Sequence, residues 1–341
     1  MHAPYVAFTV LAAGMMTLPI PGHARYEKSI AVCRAPAPSQ RAALEELARA
    51  VEMTWPGDNC TELYKKLSKK NELVLTKSKH IQDLTPLREL THVTALTLSK
   101  NKISDLAPIA DFKKLKSLTV AHNEIRDISL VRNLKRLTDL DISGNPVADI
   151  GGIATLTELK TLFLNNIRGA ASAATPLELQ PLARLSKLKF LALGNNNIVD
   201  ISALRGLTNL ESLNLANNNL AEINTLAALT NMRNLNISAN QVKDISVLKS
   251  LSRLEVLMAA DNRLSDIAPL VGLANIYELD VSKNAFIDIA PLARSPSLKN
   301  KLGFNLNAQG NPLRDCSPKN LADLQAGVRC NRAAAAHIEV K

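Results

Sequence analysis

The chain has 341 residues, of which 46% are hydrophobic and only 3% aromatic, and its formal net charge is +10. That length suits two ordinary domains or one elongated repeat array. So few aromatic side chains argue against a large aromatic hot spot, while the positive charge suggests an acidic partner surface, polyanionic glycans or lipid headgroups.

Residues 1–24 contain no Lys, Arg, Asp or Glu. "YVAFTVLAAGMMTL" is an apolar run of secretory-signal length, broken by "PIPGHA", and Gly22 and Ala24 are small residues at cleavage-site spacing. A cleaved export signal ending at Ala24 is expected. An uncleaved anchor fits less well, because Pro4, Pro19 and Pro21 leave too short a run to span a bilayer, and no later segment could span one. Four cysteines remain, Cys33, Cys60, Cys316 and Cys330, one pair toward each end with 255 residues between Cys60 and Cys316. In an exported chain this arrangement suggests Cys33–Cys60 and Cys316–Cys330, although three connectivities exist. Zinc is not expected, since the spacings are long and no His accompanies either pair.

Residues 25–72 read as a helical N-terminal cap. "PSQRAALEELARAVEM" predicts a helix with Ser39 as N-cap and Leu44, Leu47, Ala48 and Val51 on one face. "NCTELYKKLSKK" predicts a second, with Cys60, Leu63, Tyr64 and Leu67 turned inward.

Residues 73–315 repeat. The template L-x-L-x-x-N-x-I-x-D-I-x-x-L-x-x-L-x-x-L begins at Val74, Leu96, Leu118, Leu140, Leu162, Leu191, Leu213, Leu235, Leu257, Leu279 and Leu306. Eight of the ten steps are 22 residues, which a chance pattern would not sustain; the steps from 162 to 191 and from 279 to 306 are 29 and 27. The alternating L-x-L predicts a short strand with its leucines inward and the residue between them outward. Adjacent units then stack their strands into a parallel sheet. Asn101, Asn123, Asn145, Asn196, Asn218, Asn240, Asn262, Asn284 and Asn311 form a column in which an amide can satisfy backbone groups where the chain leaves the strand. An acidic column, from Asp83 and Asp105 through to Asp315, predicts capping of a short 3-10 turn, with Pro86, Pro108, Pro181, Pro269 and Pro291 early in that turn. Its regular phase makes capping a better reading than metal binding. The 29-residue step is a seven-residue insertion within 165–177, and Ile167 stands there in place of the column's asparagine. At the end, Ser317 and Pro318 predict the start of a short helix in a C-terminal cap over 316–330, followed by a tail over 331–341.

Units such as "LTLSKNKISDLAPIADFKKL" and "LMAADNRLSDIAPLVGLANI" resemble the 22-residue leucine-rich repeats of bacterial internalins and of the protein-phosphatase regulator SDS-twenty-two. The resemblance implies an α/β solenoid. It would be a right-handed curved horseshoe of about 11 repeats, with a parallel β-sheet on its concave face, 3-10 turns on its convex face and a disulfide-closed C-terminal cap. Protein recognition is the role that the family implies.

No catalytic constellation is present: the six histidines are scattered, and no phosphate loop, nucleophile elbow or metal motif occurs. The expectation is a non-enzyme without cofactor or metal. On the concave face, Phe163, Phe190, Asp141, Met258, Tyr277, Asp280 and Phe304 are the candidate partner-binding residues, with Phe163 and Phe190 foremost because they flank the insertion. Lys77, Lys79, Lys100, Lys102 and His122 form a basic edge, within a stretch (61–140) holding 16 Lys and Arg against 9 Asp and Glu. Nucleic acid is disfavoured by export and by the lack of basic–aromatic alternation. The leading expectation is a monomeric, secreted or periplasmic module that binds a host or envelope protein. The alternatives are an intracellular phosphatase-regulating scaffold and an inhibitor of a secreted enzyme.

Overall fold

A computed structural model describes residues 26–55, 59–76, 80–167, 175–298 and 303–314. The predicted signal at 1–24, the C-terminal cap with Cys316 and Cys330, and the tail lie outside these residues.

Three helices open the described chain: α1 Glu27–Arg34, α2 Arg41–Ala50 and α3 Cys60–Leu67. The predicted inward faces are buried, with Leu44, Leu47, Leu63, Tyr64 and Leu67 all at 2% exposure or less. Ser39 is not an N-cap: it lies inside a 3-10 turn, Pro38–Gln40, that runs directly into α2. Proline at the head of that turn starts it one residue before Ser39. Asn59 does cap α3, accepting the Glu62 backbone N–H at 3.0 Å. Cys33 and Cys60 are bonded, joining α1 to α3 across 27 residues of sequence. The cap docks on the first repeat through several polar ties. The Ser29 N–H of α1 donates to Glu89 Oε2 at 2.7 Å, the buried Tyr64 hydroxyl donates to the Pro86 carbonyl at 2.7 Å, and Gln40 Nε2 donates to Asp83 Oδ2 at 3.0 Å. Burial pushes the Tyr64 phenol well above its ordinary pKa.

Eleven three-residue strands follow among the described residues. They are β1 Glu72–Val74, β2 Ala95–Thr97, β3 Ser117–Thr119, β4 Asp139–Asp141, β5 Thr161–Phe163, β6 Phe190–Ala192, β7 Ser212–Asn214, β8 Asn234–Asn236, β9 Val256–Met258, β10 Glu278–Asp280 and β11 Asn305–Asn307. They form one parallel sheet in strict sequence order. Their central leucines align, Leu96 against Leu118, Leu162 against Leu191, and Leu279 against Leu306. The 29- and 27-residue steps therefore keep register, so the extra residues are taken up outside the sheet.

The register corrects one boundary. Leu73, not Val74, pairs with Leu96. The first unit is one residue longer than the template, Leu75 is wholly buried, and Val74 stands outward at 64% exposure. A period-two strand allows no compromise here, because a one-residue shift would put both flanking leucines into solvent.

The asparagine column performs the predicted work. Asn123 Nδ2 donates to the Leu98 and Val120 carbonyls at 3.1 and 2.9 Å, and its Oδ1 accepts the Ile103 N–H at 3.0 Å. Asn101, Asn145 and Asn218 repeat the pattern. At the insertion Ile167 is buried in the core, and the Val147 N–H, lacking an amide opposite, donates to the carbonyl of its own unit's Asn145 at 2.8 Å. On the back face, Asp83, Asp105, Asp127, Asp149, Asp200, Asp244, Asp266 and Asp288 each accept the N–H two residues on, at 2.7–2.8 Å, opening the next turn. Between sheet and turns runs one continuous core of leucine and isoleucine, each side chain contributing roughly 2 kcal/mol by leaving water.

Candidate functional site

The concave face consists of the outer residues of each strand, one on either side of the inward leucine. On β1 to β4 and β7 to β11 these are small or polar, apart from Val74, Val256 and Met258. The exceptions in the middle are Phe163 on β5 and Phe190 on β6, 37% and 42% exposed. Phe163 is paired with Ala192, two residues along β6 from Phe190, so the rings occupy diagonal positions on neighbouring strands. The intervening Ala192 leaves room between them. These two predicted residues are therefore brought together.

The others divide. Tyr277 is exposed at 45%, but lies two residues before the inward Leu279, on the sheet's flank. Met258 and Asp280 sit side by side on β9 and β10, both half-buried. Asp280 is already engaged: its Oδ1 accepts the Ser282 N–H at 2.9 Å and its Oδ2 accepts from Asn307 Nδ2 at 3.1 Å. Asp141 likewise accepts the Ser143 N–H at 2.9 Å. Both acids hold the chain as it leaves its strand, which reduces their freedom to serve a ligand. Phe304 does not belong to the face at all. It is 2% exposed and packs into the core, because Gly303 at φ +76° turns the chain just before it.

Of the basic edge, Lys100, Lys102 and His122 are exposed, while Lys77 and Lys79 lie outside the described residues. Lys100 and His122 adopt left-handed backbone, φ 61° and 56°, as does the residue four after the leading leucine in every complete unit from β2 onward. At that bend the N–H reaches the next unit, as from His122 to the Ser143 carbonyl at 2.7 Å. The His122 ring covers Gly144, where an added Cβ would lie 2.5 Å from Nδ1. Among the described residues no carboxylate pairs with Lys100 or Lys102. The opposite flank of the sheet is different, since Lys189 pairs with Glu211 at 2.8 Å, and Arg233 pairs with Glu255. The Lys189 ammonium holds the Glu211 carboxyl below its usual pKa. That flank is thus neutralised over β6 to β9, whereas Lys100 and Lys102 stand unpaired on the other.

Among the described residues no group of three His, Cys, Asp or Glu side chains is arranged to hold a metal ion, and no helix there is long and apolar enough to cross a membrane. Sequence reasoning missed Val74, hidden by the one-residue register error, and an asparagine-lined concavity over the repeats of β6 and β7, whose signal is the pair of runs Asn195–Asn197 and Asn217–Asn219.

The repeats at 113–154, 186–228 and 208–250 match the model described as Leucine Rich repeats (2 copies). Superposition on an internalin (inlF) of Listeria monocytogenes gives a TM-score of 0.72 over 90% of this chain and 97% of that one, at 23% identity. The chain is a leucine-rich-repeat protein with an internalin-like fold. The functional domain of InlJ from Listeria monocytogenes aligns with a TM-score of 0.62 at 18% identity, covering 85% of this chain and 69% of that one. A leucine-rich-repeat protein of Leptospira interrogans gives 0.59 at 18%, covering 82% and 81%. At such identities the likeness is one of fold. No curated protein sequence matches the chain. The matched repeats stop at 154 and resume at 186, on either side of the insertion.

Proposed function

We propose that this internalin-like protein is exported and, as a monomer, binds a protein partner on its concave face, without catalysis. The observation that carries the reading is the pair Phe163 and Phe190: two exposed rings on adjacent strands of a rigid sheet whose other outer residues are mostly polar. Rings held by backbone pairing lose little entropy when a partner covers them, which is what makes aromatic anchors effective. The unpaired charges of Lys100 and Lys102 favour a partner with an acidic patch at that rim. The Cys33–Cys60 bond supports export over the intracellular alternative, because cytosolic thiols are kept reduced. Residues 1–24 supply the export signal in this reading, and the mature chain should begin at Arg25.

The test is crosslinking and capture with the purified mature protein, followed by affinity measurement on whatever partner is recovered. Phe163→Ala and Phe190→Ala should each weaken binding by tenfold or more, roughly 1.4 kcal/mol and upward, with unchanged folding since both side chains are solvent-facing. Equal affinity in both variants would remove this site.

A further inference from the structure

Beside the concave strands, the left-handed bends of consecutive units form a row. In the units of β6 and β7 this row and the position two residues later carry Asn195 and Asn197, then Asn217 and Asn219. With Asn166 from the preceding unit and Ala239 from the following one, they line a shallow concavity of about 410 Å³, floored by the ladder residues Asn196 and Asn218. That volume lies within the range of small-ligand sites.

Left-handed backbone alone does not explain the asparagines. Asparagine tolerates positive φ well, and Asn166, Asn195, Asn197 and Asn217 adopt it, at 51°, 61°, 58° and 55°. Yet Lys100, His122, Ala239, Asp261 and Lys283 occupy the same bend elsewhere, so the fold does not demand an amide. Asn219 is not in this conformation and is asparagine nonetheless. What distinguishes these two units is an amide at both positions. The equivalent pairs elsewhere include Lys100 with Lys102, His122 with Glu124, Gly144 with Pro146, Ala239 with Gln241, Asp261 with Arg263, Lys283 with Ala285 and Gly310 with Pro312, none of them two amides. In a chain with 72 charged residues, an uncharged patch lined by five outward amides is a chemical choice. The Asn195 and Asn217 N–H groups are spent on the Ala216 and Ser238 carbonyls of the next units, which fixes the backbone. Among the described residues no hydrogen bond engages the side-chain amides of Asn166, Asn195 or Asn217, whereas Asn219 Nδ2 donates to Asn197 Oδ1 and holds that pair in place.

We infer that this concavity is a binding site for a neutral, hydroxyl-rich glycan. Each amide offers a donor and an acceptor side by side, the complement of vicinal sugar hydroxyls, which both donate and accept. Without charge the site selects neither anions nor cations. A protein main chain has similar hydrogen-bonding groups, but its side chains would need apolar pockets, and among the described residues Ala239 is the sole apolar one in the lining. The inference goes beyond the protein-binding reading and does not involve Phe163 or Phe190, so either can fail alone.

The experiment follows the asparagine side-chain amide signals of the ¹⁵N-labelled mature protein during titration with maltohexaose and with the tetramer of N-acetylglucosamine. Shifts centred on Asn166, Asn195, Asn217 and Asn219, saturating at millimolar concentration or below with at least one of the two, are expected. The double variant Asn195→Lys, Asn217→Lys should bind at least tenfold more weakly at an unchanged thermal midpoint, because Lys100 and Lys283 already occupy this bend. Asn217→Asp, matched by Asp261 at the equivalent bend, gives a second fold-neutral variant and should also weaken binding. Silence of these amides toward both oligosaccharides, shifts confined to other residues, wild-type affinity in the variants, or a response to protein alone would overturn the inference.

Discussion

Asn123 ties together three separated points of the chain: the ends of two neighbouring strands through its Nδ2, and the Ile103 N–H through its Oδ1. An alanine there would leave the buried Ile103 N–H unpartnered and remove one of the two amide donors from each of the Leu98 and Val120 carbonyls, which keep Asn101 and Asn145. The orphaned N–H costs on the order of 1–3 kcal/mol, and the two lost amide bonds add to it. Asn123→Ala should therefore lower the unfolding free energy by about 3 kcal/mol in chemical denaturation. Asn123→Asp should be worse at neutral pH, since a carboxylate facing two carbonyls repels them, and should recover partly on acidification as the protonated acid becomes a donor. This column was legible in the sequence because its chemistry is periodic and local. The fate of single aromatics was not. Phe304 and Tyr277 both stand two residues before an inward leucine, and only the positive φ at Gly303 turns one inward while the other stays out. Val74 was misplaced for a related reason: L-V-L reads equally well in either phase until its pairing with β2 is known.

Strands and turns of three to five residues cannot stand alone, so each depends on its caps. Asp127 and Asp244 are held below the usual carboxylate pKa first by the backbone N–H of Ser129 and of Ser246, and Asp200 first by the Ser202 hydroxyl. A depressed folded-state pKa means the contribution is complete above the unfolded value and disappears as pH falls through the folded value. The thermal midpoint should therefore drop on acidification below about pH 5, and the triple variant Asp127→Asn, Asp200→Asn, Asp244→Asn should drop less steeply. An Asn oxygen still accepts the turn N–H, so the variant stays folded at neutral pH. The long step between β5 and β6 tests element autonomy. Leu162 and Leu191 pair as if it were absent. Removing seven residues within 165–177, to restore a 22-residue unit, should preserve the circular dichroism spectrum and shift the thermal midpoint by no more than a few degrees. The insertion was visible from repeat arithmetic; whether it touches a partner is a separate question, answered by the binding of the same deletion protein.

At the scale of the molecule, each unit contacts its neighbours and the chain's stability is close to a sum of units and interfaces. The exposed end of such a stack needs covering, and α1 to α3 with the Cys33–Cys60 bond cover the first one. Closing 27 residues should contribute about 3–4 kcal/mol through the unfolded chain. Reduction should accordingly cause hydrogen exchange to accelerate first in α1, α2 and β1, leaving the central repeats protected. The solenoid was readable apart from the phase of its first unit because one pattern recurs eleven times; α1 was not, because a single eight-residue amphipathic segment has no repeat to support it. The binding face was half readable. Its aromatic candidates followed from the strand period, but which charges stay unpaired depends on contacts 22 residues apart, such as Lys189 with Glu211.

The central claim, recognition through the concave face around Phe163 and Phe190, is tested most directly by site-specific photocrosslinking. A photoreactive residue is placed either at Asn214, on the concave side of β7, or at Arg205, exposed on the turn behind it. Concave crosslinking to one defined protein, lost when Phe163 and Phe190 are both alanine and absent from position 205, is the result predicted. Equal capture from both positions, or concave capture that survives the loss of both rings, would contradict it.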